Sequence, residues 1–65
     1  MYTFKITFQL YDGGRKCYTV KAGSRDAAID KARERARRAC LDATGHITVY
    51  RVGQIMEPLS LSISI

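Results

Sequence analysis

Ten residues near the start of the chain, YTFKITFQLY, alternate without a break. Tyr2, Phe4, Ile6, Phe8 and Leu10 fall on one face, and Thr3, Lys5, Thr7, Gln9 and Tyr11 fall on the other. A period of two built from aromatic and β-branched residues describes a strand with one buried face. Such a strand needs a second layer to cover it. With 65 residues there is room for one small core and one domain, spanning 1–65.

Asp12-Gly13-Gly14 is a turn signal, and RKCYTVKA after it reads as a second strand over residues 15–22. Tyr18, Val20 and Ala22 are even-numbered like the apolar set of the first strand, and directly opposed residues share a face. An odd loop length follows. A three-residue loop from Asp12 to Gly14, with a glycine at positive φ, places Phe8 opposite Tyr18, Ile6 opposite Val20 and Phe4 opposite Ala22. The same register sets Lys5 against Lys21, Thr7 against Thr19, Gln9 against Cys17 and Tyr11 against Arg15 on the outer face.

Ser24 is a good N-cap and Asp26 suits the positive end of a helix dipole, so a helix is expected over residues 25–41. Its apolar stripe is Ala28, Ile29, Ala32, Ala36, Ala39 and Cys40, mostly alanine, which lets the helix lie close to a sheet of large side chains. Thr44-Gly45 reads as its stop. HITVYRV, residues 46–52, makes a third strand with apolar residues on both faces, and LSLSISI, residues 59–65, makes a fourth. A right-handed crossover places the third strand parallel to the second, with the first between them. The expected fold is α+β: an antiparallel sheet of three to four strands, order 2-1-3, with one helix on one face. The tail strand lies beside strand 3, is exchanged with a neighbouring chain, or frays. Exchange would build a homodimer through Leu59, Leu61, Ile63 and Ile65, sheltering an uncharged edge.

The inventory of reactive side chains argues against an enzyme. There is one histidine, His46, and the two cysteines, Cys17 and Cys40, show no metal-ligand spacing. Gly13-Gly14 precedes a strand and not a helix, so it is no phosphate loop. No cofactor, metal or small-molecule substrate is expected. The alternating amino terminus does not read as a signal peptide, and no run is long enough to span a membrane. A cytoplasmic, reducing setting with two free thiols is the expectation.

Charge is the informative part of the composition. The net charge is +5, which favours acidic partners. The stretch KARERARRAC carries Lys31, Arg33, Arg35, Arg37 and Arg38 around one glutamate, Glu34. Helical spacing lets Glu34 reach Arg37 or Arg38 and Asp30 reach Arg33, so this is either a binding surface or an ordinary solvated face. Those five residues are candidates for phosphate or acidic side-chain contacts. Lys5 and Lys21 are candidates on the outer sheet face, where Tyr11 and Tyr50 offer surfaces on which bases stack.

The run TFQLYDGGRKCYTVKAGSRDAAIDKARERA, with Val20, Ala22, Ser24, Ala28, Ile29, Lys31 and Ala32 at its cap and core positions, resembles small phage and mobile-element proteins of the anti-CRISPR kind. That resemblance implies a strand-strand-helix-strand order and inhibition by binding a defence complex. The leading expectation is therefore a non-enzymatic inhibitor or accessory factor. It would dock on a nucleoprotein complex, nucleic acid or an acidic protein surface. The alternative is a homodimeric interaction module whose charge serves solubility.

Overall fold

The computed structural model describes residues 1–55 and 57–63. Strand β1 spans Tyr2–Leu10, β2 Arg15–Ala22, helix α1 Arg25–Arg38, β3 Ala43–Arg51 and β4 Leu59–Ser62. The strands form one sheet, order β2-β1-β3-β4, with every neighbouring pair antiparallel. The fold is thus α+β with a single helix, and the tail strand lies beside β3 of its own chain. Ser64 and Ile65 lie outside the described residues.

The alternation of β1 fills the core as expected. Phe4, Ile6 and Phe8 are buried together with Val20, Ala22, Ile47 and Val49 from the flanking strands. Ala28, Ile29, Ala32 and Ala36 bring the helix down onto them. The alanine stripe allows a close approach, and α1 packs on β2, β1 and β3. The even residues of β1 face the helix; the odd ones form the opposite, uncovered face.

The hairpin keeps the expected loop length and parity but differs in register by two residues. Phe4 faces Val20, Ile6 faces Tyr18, Phe8 faces Lys16 and Lys5 faces Thr19, while Lys21 faces Thr3. The loop is Tyr11 to Gly13, closed by Leu10 N–H donating to Gly14 O at 2.8 Å and Gly13 N–H donating to Leu10 O at 3.1 Å. Gly13 takes the positive φ of 90°, and the Asp12 carboxylate accepts from Gly14 N–H at 2.7 Å. These contacts start the loop one residue early, as a turn closed by a left-handed glycine does. Tyr18 still meets Phe8, diagonally, with ring centroids 5.8 Å apart and edge to face.

Ser24 caps the helix as expected, its hydroxyl accepting from Ala27 N–H at 3.3 Å. The helix ends at Arg38 and not at Leu41. Cys40 adopts φ 52°, Cys40 N–H donates to Arg37 O at 3.1 Å, and Leu41 N–H donates to Ala36 O at 2.9 Å. This is a Schellman end with cysteine where glycine usually sits. Cys40 is therefore exposed, not part of the stripe under the sheet. A non-glycine residue there carries about 1 kcal/mol of backbone strain. Cys40→Gly should raise stability by about 0.5–1 kcal/mol in urea denaturation; a variant no more stable than Cys40→Ala would show that no strain is stored there.

Strand β3 begins at Ala43, three residues before the expected start. Ile47 faces Phe8 but Ala43 faces Leu10, so β3 holds two extra residues between these pairs. Thr44 and Gly45 lie in this bulge and do not stop the helix. The Thr44 hydroxyl donates to Gln9 O and accepts from His46 N–H, each at 3.2 Å, replacing lost ladder bonds. Gly45 has φ 97°.

Candidate anion-binding surface

The cations of α1 are largely engaged within the molecule. Lys31 Nζ donates to Lys21 O at 2.6 Å, and Arg35 Nη1 reaches Thr19 O at 3.5 Å. Both carbonyls belong to β2, an edge strand, so these side chains cover part of an edge that would otherwise template another strand. Arg33 pairs with Asp30 at 3.2 Å and Arg38 with Glu34 at 3.4 Å. Glu34 thus takes Arg38 and not Arg37. These pairs are exposed and each contributes under about 1 kcal/mol. Arg37 is exposed in the last turn, where the dipole favours a cation. With Asp26, Asp30 and Glu34 interspersed, the helix presents a mixed field.

The outer sheet face is different. Strand alternation turns Lys5, Thr7 and Gln9 of β1, Arg15, Cys17, Thr19 and Lys21 of β2, and His46, Thr48 and Tyr50 of β3 away from the helix, with Ser60 and Ser62 of β4. The register lines these up in rows. Cys17, Thr7, Thr48 and Ser60 oppose one another across all four strands, and Thr19, Lys5 and Tyr50 form the next row. On the other side of the Thr7 row Arg15 faces Gln9, and His46 faces Ser62. At this end lies a concavity of about 590 Å³ lined by Thr7, Gln9, Arg15, His46, Thr48, Ser60 and Ser62, together with the apolar Ile47 and Leu61.

Among the described residues the face carries Lys5, Arg15, Lys21 and His46 and no carboxylate side chain. All six acidic residues lie elsewhere: Asp12, Asp42 and Glu57 in connections, Asp26, Asp30 and Glu34 on α1. A surface whose charges share one sign draws in the opposite charge. Of the residues expected from sequence, the structure brings Lys5, Lys21 and Tyr50 onto this face and leaves Tyr11 in the turn, 69% exposed. Arg15 and His46 join them, though neither was singled out. Arg15 was legible from the alternation of its strand; His46 was hidden by the two-sided apolar pattern of residues 46–52.

The Ser62 hydroxyl lies 3.1 Å from His46 Nδ1. That is the reach of a nucleophile and its base; among the described residues no carboxylate side chain on this face stands beside the pair to orient the imidazole. Among the described residues no three His, Cys, Asp or Glu side chains gather to hold a metal ion, and both thiols are free and exposed. Among the described residues no helix is long and apolar enough to cross a membrane. Leu59, Leu61 and Ile63 turn toward the helix side, Leu61 and Ile63 against the core and Leu59 39% exposed. Ile65 lies outside the described residues. No protein-family model, curated protein or solved structure matches the chain.

Proposed function

We propose that this protein is a non-enzymatic binding module that docks on a nucleic-acid-containing complex through the outer face of its sheet. The observation that carries this reading is the segregation of charge among the described residues: basic side chains without carboxylate side chains on an uncovered sheet face, against a helix whose cations are mostly tied to protein oxygens. Size, charge and element order resemble small phage inhibitors of the anti-CRISPR kind, which supports an inhibitory or accessory role for such docking.

Charge reversal at the two surfaces tests it. The triple variant Lys5→Glu, Arg15→Glu, Lys21→Glu should elute from heparin at much lower salt than the wild type. In a mobility-shift assay its affinity for mixed nucleic acid should fall by about 100-fold. Each lost phosphate contact should flatten the slope of log affinity against log salt by roughly 0.7–0.9. The helix variant Arg37→Glu, Arg38→Glu should change both far less. If the helix variant loses binding while the sheet variant keeps it, the docking surface is the helix and this assignment fails.

A further inference from the structure

We infer that the outer face takes a single strand of nucleic acid, with a phosphate held between Arg15 and His46 and a base stacked on Tyr50. This rests on the outer face being the polyanion site and names the form of polyanion it fits.

The first ground is the floor of the concavity. Its volume of about 590 Å³ falls within the roughly 300–1,000 Å³ of sites that enclose small molecules. Hydroxyls of Thr7, Thr48 and Ser60 and the Gln9 amide line it, so it offers donors and acceptors as well as charge. A duplex is convex, with its base edges paired inside. Resting on this face it would meet the rim cations and leave the floor to water. A single strand has free base edges, sugars and phosphates that reach down into such a floor.

The second ground is what the face lacks. Reading a duplex through its major groove requires a helix or ribbon that protrudes. Here the helix is on the opposite side of the sheet, packed on β1, β2 and β3.

The third ground is the placement of Tyr50, the aromatic side chain on this face. It is directly opposite Lys5 in the register, so a base stacked on the ring brings a backbone phosphate to the ammonium group. Lys5 and Gln9 are four residues apart on β1, about 13 Å at the usual strand rise. Lys5 with Lys21, and Arg15 with His46, thus mark the two ends of one track with hydroxyls between. An acidic protein partner would be met by an apolar centre with a polar rim; the central row of this face carries the hydroxyls of Thr7, Thr48 and Ser60 instead.

Fluorescence anisotropy with a labelled mixed-sequence oligonucleotide, as a single strand and as its duplex, provides the test at low salt. The single strand should bind at least tenfold tighter than the duplex, and polyglutamate of matched charge should compete poorly. Tyr50→Ala should weaken single-strand binding about tenfold while leaving heparin elution unchanged, and Tyr50→Phe should restore it. Circular dichroism checks that both variants fold, and Lys5→Gln, at an exposed position, should lower single-strand affinity independently. Equal affinity for duplex, displacement by polyglutamate, or full single-strand affinity in Tyr50→Ala overturns the single-strand assignment while the polyanion face stands. Absence of binding to every polyanion, heparin included, overturns both.

Discussion

Replacing Gly45 by alanine should cost about 2–4 kcal/mol and loosen β4 from the sheet. Two effects add at this position. The backbone has φ 97°, which a side chain disfavours, and a Cβ built there would lie 2.5 Å from the backbone oxygen of Ile63. Flexible atoms cannot relieve that contact, because the obstacle is main chain. Either β4 moves away, losing the 2.8 Å bond from Ile63 N–H to Gly45 O, or the bulge in β3 unwinds. Gly13 serves as the control: its φ is 90°, but nothing lies within 4 Å of an added Cβ. Gly13→Ala should therefore show strain alone, about 1 kcal/mol. Denaturation midpoints should separate the two variants, and hydrogen exchange should quicken at the β4 amides only in Gly45→Ala. Equal losses in both would mean that contact with β4 plays no part.

The same residue shows where a linear reading runs out. Gly45 was expected to stop the helix, and a glycine after a helical stretch does look like a stop. Its actual role depends on β3 meeting β1 and β4, contacts distant in sequence. The helix really ends at Arg38, closed off by Cys40 in a conformation normally reserved for glycine, so no local signal marked it. In the hairpin, parity was legible and register was not. Loops from Asp12 to Gly14 and from Tyr11 to Gly13 both have three residues and both bury the even side chains. What separates them is which glycine takes the positive φ and one bond from Gly14 N–H to the Asp12 carboxylate.

Face assignment fared better than register, because burying alternate residues is worth several kcal/mol per strand while a two-residue slip preserves it. The candidate site followed the same division. Lys5 and Lys21 were placed outward by alternation alone. The concentration of arginine in residues 31–40 drew attention to the helix, yet Lys31 and Arg35 turn to the β2 edge and Arg33 and Arg38 to neighbouring carboxylates. Composition reports how much charge a chain carries. Which charges remain available to a partner is decided by the folded arrangement around them.

Phe8→Ala should leave the protein unfolded at 25 °C. Phe8 is fully buried on the central strand β1 and is one of the two largest completely enclosed side chains, with Ile6. Truncating a buried phenylalanine costs about 3–5 kcal/mol, the spread reflecting how far the neighbours collapse into the hole. Here they collapse little. The helix meets the sheet with Ala28, Ala32 and Ala36, which have no side-chain length to swing inward, and Ile47 opposite Phe8 is β-branched and stiff. The loss therefore belongs at the upper end of the range. A core in a chain of this size rarely supplies more than about 3–5 kcal/mol in total, so the whole margin disappears. Loss of amide dispersion in a proton–nitrogen correlation spectrum is the expected readout. Phe8→Leu, which keeps most of the volume, should stay folded at a cost of about 1.5 kcal/mol. If Phe8→Ala instead retains a dispersed spectrum and a cooperative melt, the helix must be able to settle into the vacated space. An alanine seam held at fixed distance from the sheet does not permit that.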